Sequence, residues 1–360
     1  MRKFVITSLL VTLSFLSFGQ IVSLSQKEIS ALQSGFLSNG QGKKMFTDFE
    51  KLATSYLSDQ PNPIDTIRTE GLLKGNPKKI KTQNALADMN KMFVLALQFR
   101  LNGDKIYLDR SLSFLTAWAE INRPNGDPID DTNLDKAVEA YDLIKNNIAA
   151  KDKLKIEKWL HETAFAEINS KRMKSGRATA KNNWNAHRLK VVGEIGYVLN
   201  DHELIDWMIT NLKSHIHINL NPDGTSLDFK ERDAMHYHIY DLEPMLKLAI
   251  MINRASGENF YTFQSATGSS IKKSVDWLLP YISGDKQHEE YVNTTVKFDR
   301  DRAKNNEPGF VSGTMFEPKS ALPVLQLSVY FDANQIPLLN KISKGVSWQT
   351  FIDQVKRESK

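Results

Sequence analysis

Between Ala85 and Ile218, apolar side chains return every three or four residues, and short polar turns break that rhythm repeatedly. Such spacing paints one face of an α-helix with apolar groups, and that face must be buried against a partner. Leu86, Met89, Phe93 and Leu97 make the first stripe. Asn102-Gly103-Asp104 interrupts it, and Leu108, Leu112, Leu115 and Trp118 resume it. A Pro-, Gly- and Asp-rich loop covers residues 123–131, after which Thr132 is expected to cap a helix over 134–144. Ile156, Trp159, Leu160 and Phe165 mark the next. Residues 189–199, the turn Asn200-Asp201 and residues 204–218 repeat the layout of the first pair. Strand signals are sparse, and only residues 291–298 alternate enough to predict a short one. Helical pairs joined by tight turns predict an all-α fold of antiparallel hairpins closing into an (α/α) toroid or barrel, with a groove lined by loops and helix ends. No long hinge divides the chain, so residues 21–360 are expected to form a single domain.

Residues 1–20 read as a secretory leader. Arg2 and Lys3 precede an apolar stretch that ends in Ser17-Phe18-Gly19-Gln20, and that stretch is short for a membrane span. A periplasmic or secreted location is expected, without stable membrane insertion. The absence of cysteine removes disulfides, thiolate metal sites and cysteine nucleophiles together. The net charge of +5 would fall to +3 once Arg2 and Lys3 leave with the leader. Basic residues cluster at Lys78, Lys79 and Lys81, and again at Lys171, Arg172, Lys174, Arg177 and Lys181. These clusters suit an acidic partner but also suit solvated loops. No nucleic-acid motif accompanies them.

Two segments concentrate functional groups. Asn182-Asn183-Trp184-Asn185-Ala186-His187-Arg188 opens a helix after the second basic cluster. An asparagine there can simply cap the helix, yet three amides, an indole, an imidazole and a guanidinium exceed what a cap requires. The second segment runs from Arg232 to Leu242. Read as one continuous helix, it places Arg232, His236 and Tyr240 on one face, with Tyr237 on the neighbouring row. Pro244 then kinks the helix or starts another.

Asn-Asn followed by a ring residue, with Tyr237-His238-Ile239-Tyr240 later in the chain, resembles the alginate lyase superfamily of helical-barrel polysaccharide lyases. Leu101 to Tyr107, Ala140-Tyr141-Asp142 and Phe316-Glu317-Pro318 add to the likeness. The best-known members carry His directly after the second Asn; this chain has Trp184 there and His187 three positions on. That departure points to another uronate preference, nearest to the glucuronan- and alginate-degrading polysaccharide lyase family 38. The resemblance implies β-elimination of a 4-linked uronic-acid polymer. In it, Tyr237 exchanges protons, and Asn183, Arg232 and an imidazole, His187 or His236, offset the carboxylate charge. Asn182, Trp184, Arg188, His238 and Tyr240 would hold the sugars around them, and Tyr240 could exchange roles with Tyr237. The acidic polysaccharide is the one expected partner, and no cofactor or metal is expected. His236 and His238 diverge on a helix, His202-Glu203 lacks a second histidine, and His215 and His217 read as a strand end or surface pair.

Two other functions fit the same residues. A glycoside hydrolase needs two carboxylates flanking the bond, with Asp228, Glu231, Asp233 and Asp241 as candidates. A glycan-binding protein without activity needs only aromatic and basic groups in a groove.

Overall fold

The computed structural model describes residues 20–38, 40–343, 345 and 347–360. Nearly all of the leader expected over residues 1–20 lies outside them. Among the described residues, helices dominate and no helix is long and apolar enough to cross a membrane. The architecture is the (α/α) toroid that paired amphipathic segments predict.

Local signals set the helix ends. Gly103 adopts φ 76° and its N–H closes on the Phe99 carbonyl, which ends the helix Pro77–Asn102. Asp104 then caps the next helix, Lys105–Ile121, by accepting from the Ile106 N–H at 3.0 Å. The second hairpin turns the same way. Asn200 takes φ 56°, and Asp201 caps His202–Asn219 through the N–H groups of Glu203 and Leu204. His215 and His217 therefore lie within a helix, not at the strand end that their alternation suggested. The predicted strand over 291–298 is absent. Glu289–Glu290 pairs with Thr314–Met315 instead, and Lys297–Lys304 is helical.

Burial makes these helices hold together. The apolar stripes merge into one core in which Trp118 and Trp159 are enclosed, each contributing on the order of 3 kcal/mol. Their indole N–H groups donate to Asp88 at 3.0 Å and to Asn122 at 3.1 Å, so neither polar end is stranded. The central helix Asn183–Leu199 packs against Ala150–Ile168, His202–Asn219 and Met235–Ser256. Gly193 explains how it can. A Cβ there would lie 2.5 Å from Leu248 Cδ2 and 3.0 Å from Met208 Cγ. The cost of glycine inside a helix, about 1 kcal/mol, is offset by this close approach. The tight packing brings the starts of Asn183–Leu199 and Met235–Ser256 to one end of the toroid. Pro244 lies inside the second of these helices without ending it.

Candidate active site

At that end lies a pocket of about 120 Å³ lined by Glu70, Asn183, Trp184, Arg232, His236, Tyr237, Tyr240, Arg302 and aromatic side chains. Asn182, expected to hold a sugar, is not among the lining residues but orients two of them. Its side chain accepts from the Trp184 N–H, capping the helix and turning Asn183 and Trp184 inward. Asp228 fixes Asn183 by accepting from its backbone N–H at 2.8 Å and from its side-chain amide. Asn219 donates to the same carboxylate at 3.2 Å. One side-chain N–H of Asn183 remains for a ligand.

Arg232 and Tyr237 do not share a helix. Leu227–Arg232 ends at Asp233, whose φ of 50° is left-handed, and Met235–Ser256 begins afresh. The four-residue spacing survives the break, which is why it reads as one continuous face. The break also improves the geometry, because the Arg232 guanidinium lies 3.6 Å from the centroid of the Tyr237 ring.

Residues 288–316 form a strap over this end. Asp233 is its clasp: its carbonyl accepts from the Tyr291 N–H at 2.7 Å and from His288 Nε2 at 3.1 Å. Its carboxylate accepts from the backbone and side chain of Asn293 at 2.8 and 2.9 Å. Tyr291 also takes a positive φ, 62°. Two non-glycine residues in this region cost of order 1 kcal/mol each and are held by their mutual hydrogen bond. The strap delivers Arg302, which donates to the Tyr237 hydroxyl at 2.5 Å and lies over Phe298 and Phe310. It also delivers Asp299, which takes Arg232 at 2.6 Å and lies 3.5 Å from the Tyr237 hydroxyl. A further loop brings in Glu70. Asp130 grips its backbone, accepting from Thr69 N–H at 2.6 Å and Glu70 N–H at 3.0 Å.

Tyr237 is thus a buried phenol between two guanidinium groups. Burial raises its pKa to about 12, outweighing Arg232 and Arg302, which both favour the phenolate. Desolvation wins, and the two arginines only limit the rise. His236 opens on the pocket beside Tyr237, with ring centroids 5.0 Å apart. The surrounding protein, then Arg302 and Arg232, hold its imidazole neutral, with a pKa of about 4.

Three more expected site residues lie elsewhere. His187 is one layer behind the pocket. Its Nδ1 meets the Thr132 hydroxyl at 2.9 Å, and its ring backs Tyr240 at 4.2 Å. Thr132 therefore supports His187 and makes no cap, since the helix Asp135–Ile144 has none from a side chain. Burial keeps His187 neutral, so it adds no positive charge to the pocket. Arg188 donates to the carbonyls of Glu167 and Ile168 at 2.8 and 2.7 Å, closing the end of Ala150–Ile168 rather than reaching a sugar. His238 is fully enclosed. Its Nδ1 meets the Ser226 hydroxyl at 2.9 Å and its Nε2 the Ser274 carbonyl at 3.1 Å.

Burial lowers the His238 pKa to about 4 from 6.5. A lowered folded pKa gives stability that is complete above 6.5 and lost as pH falls toward 4. The shift corresponds to about 3 kcal/mol. His238→Gln should therefore lose less stability than the wild type between pH 7 and pH 4, as read from urea unfolding at both values.

A helical toroid of this kind is the fold of a class of enzymes, the helical-barrel polysaccharide lyases. The model of the alginate lyase family matches residues 41–288, and the chain belongs to that family and is a polysaccharide lyase. Among solved structures, it is similar to an alginate lyase from Bacteroides ovatus, with 16% identity and a TM-score of 0.68 over 93% of this chain and 98% of that one. It is also similar to alginate lyase A1-III from Sphingomonas species A1, with 17% identity and a TM-score of 0.57 over 84% and 94% of the two chains. A tyrosine-to-phenylalanine variant of A1-III complexed with a tetrasaccharide aligns with a TM-score of 0.58 and 18% identity, over 74% of this chain and 79% of that one. No curated protein matches the sequence. Arg302, Asp299 and Phe310 all lie beyond the matched residues.

Proposed function

We propose that the protein is a secreted or periplasmic lyase that cleaves 4-linked uronic-acid polymers, glucuronan or mannuronate-rich alginate, by β-elimination. The observation that carries this reading is the Tyr237 hydroxyl held at 2.5 Å by Arg302 beneath the stacked Arg232. A proton beside a carboxylate is hard to remove, because the enolate that forms concentrates negative charge. Arg232 and the free N–H of Asn183 are donors for that charge, and the indole N–H of Trp184 is a third. Tyr237 takes the C5 proton as the phenolate and returns it to the departing O4. Both positions lie on the same side of the ring in β-mannuronate and β-glucuronate, so one group suffices. Tyr240 and neutral His236 hold the sugar alongside. The tetrasaccharide in the A1-III variant complex supports a site that spans several sugar units.

A glycoside hydrolase is disfavoured, since Glu70 is the only carboxylate lining the pocket among the described residues and the mechanism needs two. Asp228 is engaged by Asn183 and Asn219, and Asp241 is buried. The test is incubation with glucuronan, polymannuronate and polyguluronate. Unsaturated products, detected by ultraviolet absorbance and by mass, are expected from the first two. Saturated products, or binding without shortening of the polymer, would replace this reading.

A further inference from the structure

Behind the catalytic pocket, the same inner helices line a larger chamber of about 240 Å³. Glu194 reaches it from Asn183–Leu199, and Glu243, Lys247 and Arg254 reach it from Met235–Ser256. The C-terminal helix Trp348–Glu358 closes it with Gln349, Asp353 and Lys356.

Most of the charges around this chamber are already matched. Lys136 pairs with Glu139 at 3.0 Å. Lys247 pairs with Asp135 at 3.0 Å and Glu243 at 3.3 Å, and Arg254 with Glu28 at 2.7 Å. Two groups are not. Glu194 is only 4% exposed, yet its carboxyl has no hydrogen bond or ion pair among the described residues. Lys356 Nζ reaches the Val22 carbonyl at 3.3 Å, with no carboxylate at ion-pair distance among the described residues. Groups left in this state are costly, and an occupant that met both would recover the loss.

Their protonation narrows the occupant. Burial raises the Glu194 pKa to about 8, with Asp135 adding to it, so at neutral pH the carboxyl offers an O–H. Burial and the neighbouring Arg254 push the Lys356 ammonium down, a pressure that an anion would relieve. A fitting molecule therefore carries one carboxylate and several hydroxyls. It must also lay an apolar face on Ile250 and Met251, as the carbons of a sugar ring can.

We infer that this chamber is a second, non-catalytic binding site for a uronate sugar, with its carboxylate on Lys356 and its hydroxyls on Glu194 and Gln349. The choice of a uronate among hydroxy acids rests on the proposed function, which releases such sugars. The site is separate from the pocket around Tyr237 but shares both of its helices, so a released sugar bound here would act on the enzyme without competing with the polymer.

The test is calorimetric titration of the full protein with D-glucuronate, using D-glucose as the neutral control. Lys356→Met and Glu194→Leu, each checked by melting temperature, should weaken glucuronate binding at least tenfold. Arg232→Met, in the catalytic pocket, should leave binding at the chamber unchanged, and glucose should give no binding. Glucuronate affinity unaltered by both chamber variants would overturn the inference. So would a loss confined to Arg232→Met, or no binding to the wild type. A protein that fails to release unsaturated sugars from any uronate polymer would defeat the proposed function, while the glucuronate titration would remain readable on its own.

Discussion

Tyr237→Phe should cut the rate of β-elimination by about 10³-fold, the middle of the range for loss of a positioned proton-transfer group. The variant keeps the ring, and with it the contact beneath Arg232 and the packing against Tyr291. It loses only the hydroxyl that meets Arg302 and Asp299. Stability should fall by about 1 kcal/mol, the usual net value of one hydrogen bond. Initial rates of unsaturated product, measured beside a melting curve, separate the two effects. A variant that keeps its rate within tenfold would move the proton transfer to Tyr240, which faces the same pocket.

Arg302→Met should have the second-largest effect, a fall in kcat of about 10²-fold. Methionine keeps an apolar stem between Phe298 and Phe310, so the expected loss is electrostatic more than structural. The informative readout is the pH profile. Tyr237 titrates at about 12 with both arginines in place, and Arg302 is one of the two groups lowering it. Its removal raises the pKa further, so less phenolate exists at any given pH. Each unit of that rise costs a factor of ten in the active form. The alkaline climb in rate should therefore move to higher pH in the variant. A profile superimposable on the wild type, with kcat preserved, would show that Arg302 serves the strap and not the phenol.

Periodicity carried most of the fold because every helix here buries one face, and the repeated stripes around Trp118 and Trp159 leave few alternatives. The segments around Asn183 and Tyr237 were legible for a different reason, an excess of polar groups over what caps require. Arg302 was not. It lies in Lys297–Lys304, a mostly charged stretch that reads as solvated surface, and only the strap's return to Asp233 turns it inward. Glu70 was hidden likewise in a loop whose course Asp130 decides from a distant part of the chain. His238 and Arg188 misled because polar residues near a site look the same whether they face a ligand or tie two helices together. The pairing of Arg232 with Tyr237 was expected for the wrong reason, since a helix break preserves their spacing.

That break has a consequence for how such a protein can change. Asp233 holds an unfavourable backbone angle, and glycine would accept the angle at less cost. A search for sturdier variants would therefore be drawn to this position. Yet the carboxylate lost in that exchange is what ties down the strap bearing Arg302. Robustness and turnover thus pull one codon in opposite directions, and the strained residue persists as the compromise between them.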